Sequence, residues 1–218
     1  MIPKVIHYCW FGGNEKSALI DACIESWKKH MPEWKIIEWN EKNSPLDHPF
    51  VQKALKDKKY AFVADYVRCY VLYNFGGVYL DTDMEIIKDL TPLLSFDFFS
   101  AYEDSDFTKV SCGAIGSIKQ HKIMQEMLLY YNENYKYYTL IPQILGMKYR
   151  EEFYENSKIL SSESFYPYNP FDENKPVKQL MFSHITEETY GIHHWGYSWK
   201  FNLMEKIINK LKKFLIRK

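Results

Sequence analysis

Gly76-Gly77-Val78-Tyr79-Leu80-Asp81-Thr82-Asp83 is the stretch on which the reading of this 218-residue chain turns. Before it, Tyr60 to Phe75 is a largely apolar run of helical length. Glycine accepts the left-handed backbone that closes a helix, so Gly76-Gly77 marks a helix end. Val78-Tyr79-Leu80 then reads as a short buried strand. It delivers Asp81-Thr82-Asp83 at its carboxyl end, where open α/β sheets place ligands. Two carboxylates separated by one residue can point to the same side when the backbone turns, and their hard oxygens suit Mg²⁺ or Mn²⁺ with phosphate as counterpart. Asp-x-Asp also occurs in many solvated turns, so the triplet gains its force from its surroundings.

Working outward, the helix before the triplet carries Asp65 and Arg68 on one face. Their neighbours Ala61, Phe62, Ala64, Val67, Val71 and Leu72 bury that helix, and a buried charge is costly unless a partner or ligand compensates it. The cation is also an exception in this chain, whose only arginines are Arg68, Arg150 and Arg217. A planar fork suited to hydroxyls, carboxylates and phosphates stands where lysine is the default.

Val5 to Phe11 reads as the first strand and stops at Gly12-Gly13. From Ser17, apolar Leu19, Ile20, Cys23, Ile24 and Trp27 recur at helical spacing until Pro32, and a strand from Lys35 to Trp39 follows. Strand, helix, strand with short links is the rhythm of an α/β sheet that is at least partly parallel. Farther on, Phe98 to Tyr102 and Val110 to Ile115 read as strands, and Ile123 to Tyr131 as a helix. The stretch from Tyr149 to Gln179, with Pro167, Pro170 and Pro176, reads as loops and short strands. Leu203 to Lys218 sets an apolar side of Leu203, Ile207, Ile208, Leu211, Phe214 and Leu215 against lysines. Such a basic amphipathic helix either packs on the domain or lies on anionic lipid. The expectation is one α/β catalytic domain over residues 1–202 with an added helix over 203–218.

Composition narrows the class. Its 46% hydrophobic and 26% charged residues are those of a globular protein. The 28 basic and 28 acidic side chains cancel, which argues against nucleic acid as a partner. Cys9, Cys23, Cys69 and Cys112 are scattered among apolar neighbours and read as reduced core residues. With no charged leader and no apolar run long enough to span a bilayer, the expectation is a cytoplasmic protein, at most peripheral on the inner face of a membrane.

Three blocks carry a resemblance that spans nearly the whole chain. They are Ile2-Pro3-Lys4-Val5-Ile6-His7-Tyr8-Cys9-Trp10-Phe11-Gly12-Gly13, the run from Ala64 through Asp83, and Gly191-Ile192-His193-His194-Trp195 with Ser198-Trp199. Together they resemble the DxD-containing glycosyltransferase family of yeast initiating α-1,6-mannosyltransferases and bacterial capsular polysaccharide glycosyltransferases. The clostridial glucosylating toxins look like distant relatives. The resemblance implies a GT-A fold, Rossmann-like with a mixed, mainly parallel sheet. It also implies retaining, metal-dependent transfer of a hexose from a nucleotide sugar, UDP-hexose ahead of GDP-mannose, to a glycan or lipid-linked glycan acceptor in capsular or other surface polysaccharide synthesis. By the same likeness Trp10 stacks on the donor base, with Cys9 and Phe11 beside it. Asp65 and Arg68 hold ribose and sugar hydroxyls, and Ser198 and Trp199 contact the diphosphate. Asp83 is the direct ligand of Mn²⁺ or Mg²⁺, Asp81 reaches the metal, ribose or sugar, and His194 is chosen as the third metal ligand, with His193 nearly as good.

Two other classes compete. An aspartate-nucleophile phosphatase also places D-x-D after a strand, but it needs Thr or Val where this chain has Glu85. A catalytically silent sugar-binding module fits the same motifs. Glu103 and Asp104, after a predicted strand, read as solvated loop residues ahead of acceptor ligands.

Overall fold

Strand β1 (Val5–Cys9) alternates, sending Ile6 and Tyr8 into one apolar cluster and Cys9 into another. The sheet built on it therefore carries a core on each face. The computed structural model describes residues 1–196. β2 (Lys35–Trp39) and β3 (Gly77–Leu80) flank β1, both parallel to it. Beyond β3, the six-stranded sheet continues through β6 (Ala114–Ser117), β5 (Phe98–Ala101) and β7 (Ser157–Leu160). β6 is antiparallel to β3 and β5, while β7 is parallel to β5. The sheet is thus mixed and mainly parallel, as expected. The carboxyl ends of β1, β2, β3, β5 and β7 meet the amino end of β6 at one edge.

Helix α1 (Ala18–His30) starts at Ser17, whose Oγ accepts the Ile20 amide, and ends at Met31 before Pro32. Its Trp27 Nε1 donates to the carbonyl of Met84 at 2.6 Å, which docks the helix on β4 (Met84–Ile86). The opposite face of the sheet is covered by α2 (Pro49–Lys56), α3 (Tyr60–Phe75), α4 (Lys122–Asn134) and α5 (Ile141–Glu151). α3 lies between the sheet and its neighbouring helices, which is why it is apolar nearly all round. It ends at Gly76, with φ +66°, whose amide donates to Leu72. A Cβ on Gly77, with φ +108°, would stand 2.7 Å from the carbonyl oxygen of Val5. The glycine pair therefore both turns the chain and lets β3 approach β1.

The expected strand Val110 to Ile115 is corrected. Val110 makes only an isolated bridge to Tyr102, and the strand begins at Ala114. Between them the backbone turns to give the Cys112 carbonyl to Arg68 and the Gly113 carbonyl to the Asp81 amide. Within the described residues no helix is long and apolar enough to cross a membrane. All four cysteines are buried and free. Ser198, Trp199 and the helix expected over 203–218 lie outside the described residues.

One buried side chain ties the first strands to the glycine turn. His7 is fully buried, its Nε2 2.9 Å from the carbonyl of Gly76, and its Nδ1 accepts from Trp39 Nε1 at 3.0 Å. That pairing fixes a neutral ring with its proton on Nε2. Burial lowers its pKa to about 4, with the Gly76 hydrogen bond opposing. An unfolded chain takes up this proton near the ordinary histidine value of 6.5, the folded chain only near 4. Stability is therefore lost as pH falls through that window, by about 3 kcal/mol in all. The His7 ring is expected to stay neutral at pH 5.5 in an NMR titration; a ring protonated there would contradict the buried network.

Candidate functional site

Tyr79 points toward the α3 face, and the strand period carries Asp81 to the same side. Arg68 on α3 meets it there. Its Nη2 lies 3.2 Å from Asp81 Oδ1 and 3.1 Å from Asp65 Oδ1, and its Nη1 donates to the Cys112 carbonyl at 2.6 Å. The guanidinium also sits 4.3 Å from the Tyr79 ring centre, and the Tyr79 hydroxyl donates to Asp81 Oδ1. Arg68 and Asp65 are 6% and 7% exposed, so these charges depend on one another. Burial raises the Asp65 carboxyl to about 7, with Arg68 holding it down and Asp81 pushing it up. Arg68 is engaged by the protein, and its direct product is a fixed Asp81.

After Asp81 the chain turns, the Met84 amide donating to the Asp81 carbonyl, and enters β4. β4 pairs antiparallel with β8 (Gly191–His193), which sets His193 opposite Met84 and beside Asp83. His193 Nε2 stands 3.2 Å from Asp83 Oδ1 and 3.9 Å from Asp81 Oδ2. The other oxygen of Asp83 accepts the Gly196 amide at 2.6 Å. Burial works against the Asp83 charge, but the hydrogen bond and charge of His193 and the Gly196 amide hold its carboxyl at about 2. Burial likewise opposes a charged His193, and the Asp83 hydrogen bond together with the charges of Asp83, Asp81 and Glu103 outweighs it, so the imidazole titrates above its ordinary value.

Asp81, Asp83 and His193 each offer a ligand atom, all within 4.8 Å of one another. Two carboxylates and an imidazole suit Mn²⁺ or Mg²⁺ chemistry. Of the two histidines offered as third ligand, the structure brings His193 to the aspartates and turns the His194 ring away. Adjacent residues at a strand end face opposite ways, and His194 Nε2 is 2.8 Å from Glu85 Oε2. Trp195 follows at φ +55°, an uncommon conformation for a bulky residue, with its ring 4.5 Å from that of His193.

Of the residues expected at the donor base, Cys9 and Phe11 are buried in the core. Trp10 is half-buried at the carboxyl end of β1, its Nε1 donating to the Asn14 carbonyl at 2.7 Å and Lys16 Nζ 5.6 Å from its ring centre. Asp104 is a loop-builder, accepting the amide and hydroxyl of Thr108. Glu103 is half-buried near His193, and burial raises its carboxyl above the usual range. Ser111, Gly113 and Tyr166 also line the site. The Ser111 hydroxyl donates to Tyr166 at 2.7 Å, and a Cβ on Gly113 would lie 2.8 Å from the Tyr166 hydroxyl and 3.0 Å from Asp81 Oδ2.

Residues 17–100 match the family model of a glycosyltransferase sugar-binding region containing the DXD motif. An uncharacterized glycosyltransferase of Acanthamoeba polyphaga mimivirus is 31% identical over 138 residues, covering 56% of this chain and 53% of that protein. Mannosyl phosphorylinositol ceramide synthase SUR1 of Saccharomyces cerevisiae is 27% identical over 161 residues, covering 67% of this chain and 39% of that protein. The chain thus spans about half the length of the first relative and less of the second. Among solved structures, PaToxG glycosyltransferase superposes with a TM-score of 0.57 at 19% identity, covering 69% of this chain and 70% of that one. A glycosyltransferase involved in the glycosylation of the major capsid of PBCV-1 superposes with a TM-score of 0.51 at 11% identity, covering 90% and 95%. The fold is GT-A.

Proposed function

We propose, for a chain that carries the sugar-binding region of the DXD-containing glycosyltransferases, transfer of a hexose from a nucleotide sugar to an acceptor hydroxyl. The observation that supports this most is the convergence of Asp81, Asp83 and His193 at the carboxyl edge of the sheet. Asp83 and His193 would hold Mn²⁺ or Mg²⁺, with Asp81 between metal and donor. A divalent cation supplies charge neutralisation for the departing nucleoside diphosphate. Arg68 pairs with Asp81 and fixes it at the edge, and Asp65 completes the pairing. Trp10 offers its half-buried ring to the donor base.

For stereochemistry the reading is retention. No carboxylate is assigned as nucleophile, and the acceptor attacks on the face the nucleotide leaves, its proton passing to the leaving phosphate. UDP-hexose stays ahead of GDP-mannose as donor, while the mannosyl transfer in the names of the yeast relatives places mannose on the test panel. The acceptor is a glycan or lipid-linked glycan of a surface polysaccharide, met at the inner face of the membrane.

Incubation with UDP-glucose, UDP-galactose, UDP-N-acetylglucosamine and GDP-mannose plus Mn²⁺ is expected to release nucleoside diphosphate from one donor above the others. Chelation should abolish that release. A flat response across the panel, with or without metal, would overturn the reading.

A further inference from the structure

In β5 the side chains of Phe99 and Ala101 enter the apolar cluster that holds Phe165 and Tyr166, while Tyr102 packs on the opposite one. The strand period carries Glu103 to the face of Phe99 and Ala101, at the open end of that row. Hydrogen bonds hold the backbone there. The Ser111 amide donates to the Ala101 carbonyl at 2.8 Å, Tyr102 bridges Val110, and the Glu103 amide donates to the Lys109 carbonyl at 2.9 Å. From another loop the Asn169 side chain donates to the Glu103 carbonyl at 2.7 Å. The turn beyond is tied by Asp104, which accepts the amide and hydroxyl of Thr108, and by Asp172, which accepts those of Ser105.

On this braced hairpin the Glu103 carboxylate accepts no hydrogen bond and makes no ion pair among the described residues. It is half-buried and close enough to His193 and the Tyr166 phenol to interact with them electrostatically. A part-buried carboxylate without a donor carries a desolvation cost that a ligand can relieve. Charge narrows the ligand, because a carboxylate repels phosphate. The cation has its own ligand set in Asp81, Asp83 and His193, to which Glu103 does not belong. Of the groups that sugar transfer brings to the site, a hydroxyl remains, and a hydroxyl can donate.

The sheet order says which sugar carries it. Glu103 follows β5, two strands from the β3 that ends at Asp81, a lateral separation of about 10 Å at ordinary strand spacing. Trp10, at the end of β1, lies on the other side of β3. With the nucleotide over β1 and its diphosphate at the DXD carboxylates, the transferred hexose covers the ground next to β3 and the acceptor stands beyond it. Resting on the glycosyltransferase reading above, we infer that Glu103 binds the acceptor, its carboxylate taking a hydrogen bond from a hydroxyl of the incoming sugar. The hairpin of residues 102–110 is then the acceptor wall of the site, and donor binding is left to β1, β3 and the metal ligands.

The test uses the full chain with Mn²⁺ and the donor that it turns over, offering methyl glycosides of glucose, galactose, mannose and N-acetylglucosamine as acceptors. Acceleration of nucleoside diphosphate release by a glycoside gives the acceptor KM, and calorimetry with UDP and GDP gives the diphosphate Kd. Glu103→Ala is expected to raise the acceptor KM about tenfold or more, the worth of one hydrogen bond to a charged group, with the diphosphate Kd within about twofold of wild type. Glu103→Gln, which keeps the size and one accepting oxygen but not the charge, should show a smaller rise in the same KM. An acceptor KM unchanged in both variants overturns the inference. So does a diphosphate Kd that weakens in step with the KM, since Glu103 would then serve the metal site or the fold. Wild-type protein that turns over a donor but is accelerated by no glycoside also overturns it and leaves the parent reading standing. Wild-type protein that turns over no donor defeats the parent reading and this inference with it.

Discussion

Asp83→Ala is expected to cut metal-dependent release of nucleoside diphosphate by about 10³-fold, the scale on which loss of a group that stabilises transition-state charge is felt. Among the described residues the Asp83 carboxylate meets His193, the Gly196 amide and its own backbone amide, and none of these contacts lies in the two apolar cores. The fold should therefore survive, with thermal melting shifted by a few degrees at most, about what a loss of 1 kcal/mol produces in a domain of this size. The variant should also lower the His193 pKa, since the Asp83 hydrogen bond and charge are what lift it. Steady-state release with and without Mn²⁺, beside a melt, checks both halves. Activity within tenfold of wild type would show that the metal, if used, is held elsewhere.

Arg68→Met is expected to act through stability. The guanidinium joins Asp65, Asp81 and the Cys112 carbonyl in a site where Arg68 and Asp65 are nearly inaccessible to water. Methionine fills much of the volume but strands two carboxylates and a carbonyl. Breaking a buried pair from one side costs about 3–5 kcal/mol, a large part of the margin of any domain. At this chain length that is a fall in Tm of roughly 10 °C. Arg68→Lys keeps the charge, but a single ammonium lacks the planar fork that spans three acceptors, so it should recover only part of the loss. Chemical denaturation of the two variants beside wild type decides it. A loss below about 1 kcal/mol in Arg68→Met would mean that the carboxylates are solvated and the pairing is incidental.

The first half of the fold was open to sequence reasoning because its signals are local. Ser17 and Pro32 bracket α1, and Gly76-Gly77 closes α3. β1 and β3 are continuous apolar runs because both of their faces are covered. α2 and α5 escaped because each begins with a proline in its first turn, which reads as a breaker although the first turn is where proline is tolerated. α2 is moreover capped by His48, outside the usual capping residues, and α5 carries Gly146 inside.

The site divides in the same way. Asp65, Arg68, Asp81 and Asp83 stand on one helix and on the turn that follows the next strand, and their spacing could be read. Which of His193 and His194 faces the aspartates depends on the pairing of two three-residue strands more than a hundred positions apart, a register no local pattern fixes. Tyr166 left no signal beyond its aromatic character. Gly113 left a faint one, since a glycine at the head of an apolar run often marks a close approach.

The reversal of β6 has a consequence for how such a protein can diversify. Because β6 enters the sheet at the edge where its neighbours leave, the connection from β5, residues 102–113, passes directly over the ligand edge instead of returning from the far side. Lengthening a surface connection costs little closure entropy, about 0.6 kcal/mol per doubling. Heritable insertions there can remodel what approaches the site from above. The Arg68-anchored carboxylates beneath are held by α3 and β3 and need not change. One molecular frame can thus acquire new partners by exchanging a roof over a constant floor.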